Sequence, residues 1–219
     1  MRVIVTLVLA FFVSGPLSAM EGARKLNWDD LVPKAAPLEN PFLSLTIDQR
    51  TDFEILIGIL EMEERGIITQ VERTYEDGVE IRHKLESAGL DVEFLLAEFD
   101  RLEREVMKRN RMAVGALDGQ AVRIPGYALP LEHDGTAVTE MLLVPYVGAC
   151  IHVPPPPPNQ IVYVRLNQSY KADDLYDPVW ITGRMRVEAT NKSLYYVDGS
   201  AGIDTAYTLE GVKVEPYEE

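Results

Sequence analysis

Two hydrophobic periods divide this chain. Between Thr46 and about residue 111, apolar residues recur every three or four positions, the spacing of an amphipathic helix. Thr46-Ile-Asp-Gln49 has capping-box spacing, and Phe53, Leu56, Ile57 and Leu60 form one stripe behind it. Gly66 ends that helix. Thr69-Gln-Val-Glu72 repeats the capping pattern and predicts a second helix to about Ser87, with Gly89 as its stop. Asp91 caps a third, whose face is Val92, Leu95, Leu96, Phe99, Leu102 and Val106. Asp100–Arg104 and Glu105–Arg109 supply i,i+4 charge pairs on its outer side. The last two helices read as an α-hairpin joined near Gly89. Its stripe suits either its own sheet or a second copy, which makes a homodimer through the hairpin an expectation.

From Gly119 the period becomes two. Strands are predicted at Gln120–Leu131, Glu140–Val147, Ala149–Val153, Gln160–Leu166, Val179–Glu188, Leu194–Val197 and Thr205–Val214. Asp134-Gly135, Asp177-Pro178, Asn191, Asp198-Gly199 and Gly202 are read as turns between them. Gly183, in mid-strand, marks a bulge or the tight bend that barrel closure requires. The expected class is therefore α+β, a helical hairpin followed by an antiparallel β-barrel of the OB type, with a β-sandwich as the rival. Residues 1–19 are expected to be a signal peptide, 20–45 an extended arm anchored by Trp28, 46–118 the helical region, and 119–219 the barrel.

The signal-peptide reading rests on Arg2, the apolar run Val3–Val13 and the small residues up to Ala19. That run is short for a membrane span of about 20 residues, and no later segment is apolar enough to cross a bilayer. The mature chain is thus expected to be periplasmic or secreted. A net charge of −14 with no basic cluster in the sequence argues against nucleic acid as a partner.

Candidate chemistry gathers in Met141–Val164. It holds the single cysteine, Cys150, with His152 two residues on and the run Pro154, Pro155, Pro156, Pro157, Pro158 just beyond. On a strand, positions two apart share a face, so the thiol and imidazole would lie together as ligands for zinc. A zinc site needs three or four ligands, and His133, with Glu132 or Asp134, is the nearest supply. The competing readings are a buried structural thiol and a Cys–His nucleophilic pair. The prolines lack amide donors, so they form either a stiff connector or a preformed docking surface. His83 falls on a charged helix face, and Asp173, Asp174 and Asp177 read as an acidic loop without calcium-loop spacing. Walker, GxGxxG, GxSxG and HExxH motifs are absent.

The stretches VRIPGYALPLE (Val122–Glu132) and LLVPYVGACIHVPPPPPNQIVYV (Leu142–Val164), with WDDLVP (Trp28–Pro33), resemble the bacterial proteins grouped as domain of unknown function 3299. The resemblance implies an exported protein without a known enzymatic activity, some of whose relatives neighbour ABC-transporter components and zinc-responsive periplasmic proteins. Some members look like lipoproteins; this chain has no lipobox cysteine. The expected role is a non-catalytic binding or accessory protein serving zinc homeostasis or transport. The alternative is a metal-free interaction module that docks an envelope protein through the proline loop.

Overall fold

The computed structural model describes residues 22–131, 137–150, 155–171, 176–196 and 199–217. The expected signal peptide, His133, His152, Pro154, Asp173 and Asp174 lie outside them. Among the described residues the chain is a mixed α+β protein with three α-helices and a six-stranded sheet. It divides into two compact units: Ala35–Arg109, and the residues through Lys34 taken together with Asn110 onward.

The first unit is helical. α1 (Ile47–Glu64) starts as its capping box predicts, with Thr46 and Gln49 exchanging side-chain hydrogen bonds with each other's backbone. α2 (Arg73–Ser87) begins three residues later than its Thr69 motif suggests. There the Glu72 carboxylate accepts from both Thr69 N and Thr69 Oγ1, which closes a turn instead of opening a helix. Asp91 Oδ1 accepts from Phe94 N at the start of α3 (Val92–Arg111). Gly66 and Gly89 end α1 and α2 with φ of +68° and +85°, a region that L side chains avoid. Leu45, Phe53, Leu56, Leu85, Val92 and Leu95 form the core of this unit. Gly78 of α2 lets Ile59 of α1 approach to 2.9 Å of where a Cβ would stand.

The second unit carries β1 (Arg24–Lys25), β2 (Ala121–Pro130), β3 (Val138–Val144), β4 (Val162–Tyr170), β5 (Asp177–Tyr196) and β6 (Gly199–Pro216). The strand order is β1-β2-β3-β4-β6-β5, and β5 also pairs with β2. Each strand from β2 to β6 therefore has at least two neighbours. All neighbours are antiparallel except β1–β2 and β4–β6. Alternation puts Val122, Ile124, Met141, Leu143, Val162, Val164, Ile181, Met185, Tyr207 and Leu209 into one core. Gly183 sits at a register slip, as its position in the sequence suggests. A Cβ there would meet Glu210 O at 2.4 Å.

One expectation is corrected. Asn191 is not a turn: the predicted strands around it are one strand, β5, in which Asn191 Nδ2 donates to Asp204 Oδ1 of β6 at 2.8 Å. At the start of the predicted strand Ala149–Val153, Ala149 makes a single β-bridge and Cys150 lies in a turn, with Gly148 and Cys150 at φ of +83° and +69°; residues 151–153 lie outside the described residues.

Candidate functional site

Cys150 sits in a second apolar cluster, formed with Leu129, Leu142, Val144, Ala149, Ile161, Tyr163, Tyr176, Leu194 and Ile203. Strand alternation assigns Leu142, Val144 and Tyr163 to the opposite side of β3 and β4 from the main core. Burial leaves Cys150 5% exposed and pushes its thiol up to about 11. Desolvation thus favours the protonated thiol, whereas a metal ligand or nucleophile needs the thiolate. Its left-handed φ is not the extended backbone of a strand, and His152 lies outside the described residues. Tyr176, the other non-glycine residue with positive φ (+63°), donates its buried hydroxyl to Ala149 O at 2.6 Å. Among the described residues no three His, Cys, Asp or Glu side chains gather as a metal site requires. His83 is exposed.

The end of the proline run is clamped into the sheet unit. Pro157 has φ −54° and ψ 149°, close to polyproline II, and Pro158–Gln160 make one 3-10 turn. Pro155 and Pro157 are exposed and Pro156 is buried. Asn159, 2% exposed, donates Nδ2 to Met112 O at 3.1 Å, and Gln160 Nε2 donates to Trp28 O at 2.8 Å. Nearby, the Tyr207 hydroxyl donates to Leu31 O and accepts from Val114 N, both at 2.6 Å. The prolines therefore lead into a knot that ties the Trp28 arm and the segment after α3 to β6.

Beside that knot lies a cleft of about 290 Å³, lined by Arg111, Pro158, Ala189, Thr190, Asn191, Asp204, Thr205 and Ala206. It opens at the root of the β5–β6 hairpin, where the register slips between Val187 and Thr190. The Thr190 and Thr205 hydroxyls are 2.9 Å apart, and Arg111 approaches Asp204 Oδ2 at 3.9 Å. Hydroxyl, amide, carboxylate and guanidinium groups share this lining with Pro158. Sequence reasoning missed Arg111, Thr190, Asn191 and Asp204, since they come from distant segments and Asn191 was taken for a turn.

The model of the family described as protein of unknown function (DUF3299) matches residues 28–216. This chain belongs to that family. A crystal structure of a DUF3299 family protein from Pseudomonas aeruginosa PAO1 is 29% identical; the match covers 90% of this chain and 97% of that one, with a TM-score of 0.48. No curated protein matches. Among the described residues, no helix is long and apolar enough to cross a membrane.

Proposed function

We propose that this chain is an exported, non-catalytic interaction module of the cell envelope. It takes its partner where the proline run meets the β5–β6 hairpin. Export rests on the leader pattern of residues 1–19. The strand order β2-β3-β4-β6-β5, with β5 returning to β2, supports an OB-like barrel, a scaffold that binds ligands at its loop ends. The observation that carries the reading is the polar cleft with Pro158 as one wall. A stiffened proline segment loses little freedom on binding, and the clamps at Asn159 and Gln160 fix its end in place. The zinc reading depends on His152 and His133, outside the described residues, and burial of the Cys150 thiol works against it.

The test is a photo-crosslinking residue placed at Asn191 in the full chain expressed in a bacterial envelope. A discrete adduct is expected, and it should disappear when Arg111 and Asp204 are both changed to Ala. Val71, 90% exposed, provides the control position. An Asn191 pattern no different from that of Val71 overturns the proposal.

A further inference from the structure

We propose that the helical unit binds a free apolar amino acid, taken as its zwitterion in a pocket walled by α1, α3 and the 3-10 turn Pro41–Ser44. This site lies wholly within Ala35–Arg109 and is independent of the cleft in the sheet unit.

The pocket measures about 220 Å³. That is below the roughly 300 Å³ at which sites for drug-sized ligands begin, so it suits a single small molecule. Five apolar side chains line it: Phe42 and Leu43 from the 3-10 turn, Phe53 and Ile57 from α1, and Phe99 from α3. Phe42 stacks on Phe53 at 5.2 Å between centroids and meets Phe99 edge-on at 6.4 Å. Contacts of this geometry hold the three rings in place. Phe53 is buried, Phe42 and Phe99 are half-buried, and Leu43 is 74% exposed. The pocket thus has a closed aromatic floor and an apolar rim at the surface.

Two charges share the lining, Arg50 and Glu54. Four residues apart on α1, they stand on one face of the helix, a turn from each other. Among the described residues neither enters an ion pair, although this spacing permits one between them. Arg50 Nη2 donates to Phe42 O at 3.3 Å, which keeps the guanidinium at the Phe42 wall, and its Nε is buried without a hydrogen-bond partner. Asn40, the remaining lining residue, is already engaged, since its Oδ1 accepts from Phe42 N.

A guanidinium takes a carboxylate, a carboxylate takes an ammonium, and the aromatic box takes a hydrocarbon side chain. An apolar α-amino acid carries all three groups on one carbon. The carboxy terminus of a peptide lacks the ammonium, and the amino terminus lacks the carboxylate. Either one leaves a charge of the pocket unanswered.

The test is isothermal titration of L-phenylalanine and L-leucine into the purified full chain. Saturable one-to-one binding with a Kd between about 10 µM and 1 mM is expected for at least one of them. L-Glutamate and L-lysine should not bind. The N-acetyl and the amide derivatives of the tighter binder should each bind about tenfold or more weakly than the amino acid itself. In Glu54→Gln the acetyl derivative and the amino acid should bind alike, and in Arg50→Gln the amide and the amino acid should do so. The derivative series needs no variant, so it decides the matter even if Arg50→Gln folds poorly without its bond to Phe42. Failure of both amino acids to saturate below about 10 mM overturns the proposal, as does an acetyl or amide derivative that binds as tightly as its parent.

Discussion

Removing one oxygen atom from Tyr207 should unfasten the arm around Leu31 from β6. The side chain is fully buried, and its hydroxyl holds two backbone groups at once: Leu31 O, to which it donates, and Val114 N, from which it accepts. Tyr207→Phe keeps the ring and its packing, so no sizeable cavity opens. It leaves an acceptor on fully buried Leu31 and a donor on half-buried Val114 without their partner. Each such orphan costs about 1–3 kcal/mol, so the expected loss is about 2–4 kcal/mol in urea unfolding. Hydrogen exchange should accelerate at Val114 and leave Met141–Val144 of β3 unchanged relative to global stability. Burial also raises the phenol above its ordinary range. The folded state then holds the proton more tightly than the unfolded chain does, and stability falls as pH rises through about 10 and beyond. Tyr207→Phe should flatten that alkaline slope. A loss under about 0.5 kcal/mol would refute the argument that this hydroxyl is the fastener.

The same reasoning covers three more positions. Asn159→Ala removes the donor to Met112 O from a side chain 2% exposed, and should cost about 1–2 kcal/mol by denaturant midpoint. Gly183→Ala puts a methyl group 2.4 Å from Glu210 O and 2.9 Å from Gly211 Cα, both backbone atoms; a loss above about 3 kcal/mol, or insoluble protein, is expected. Cys150 makes the folded chain lose stability between about pH 9 and pH 11, because its raised thiol stays protonated after the unfolded chain has ionised. Cys150→Ser, with a hydroxyl that does not titrate there, should remove that part of the slope.

What the sequence made legible follows from which interactions are local. The helices announce themselves because capping and amphipathic spacing act within one or two turns, as Thr46 with Gln49 and Asp91 with Phe94 show. Thr69 with Glu72 carries the same letters and makes only a turn, since it is the downstream residues that decide whether a helix continues. The core strands are legible because burial on one face imposes alternation. That rule weakens at the hairpin. Ala189-Thr-Asn-Lys-Ser193 is polar on both faces, so it reads as a turn, although cross-strand contacts such as Asn191 with Asp204 and Thr190 with Thr205 keep it extended. At Cys150 an apolar run suggested a strand, whereas Gly148 and Cys150 themselves take left-handed φ and the thiol sits in the cluster with Leu142 and Tyr163. The cleft was the least legible feature, because it is assembled from Arg111, the proline run and both arms of the hairpin. Proximity of that kind belongs to the pairing order of the sheet, in which β6 stands between β4 and β5. Conspicuous residues such as a lone cysteine or five prolines mark where a chain is unusual. In this fold the cysteine fills a core, and the last proline walls a cleft whose polar groups come from unremarkable Thr, Asn and Asp.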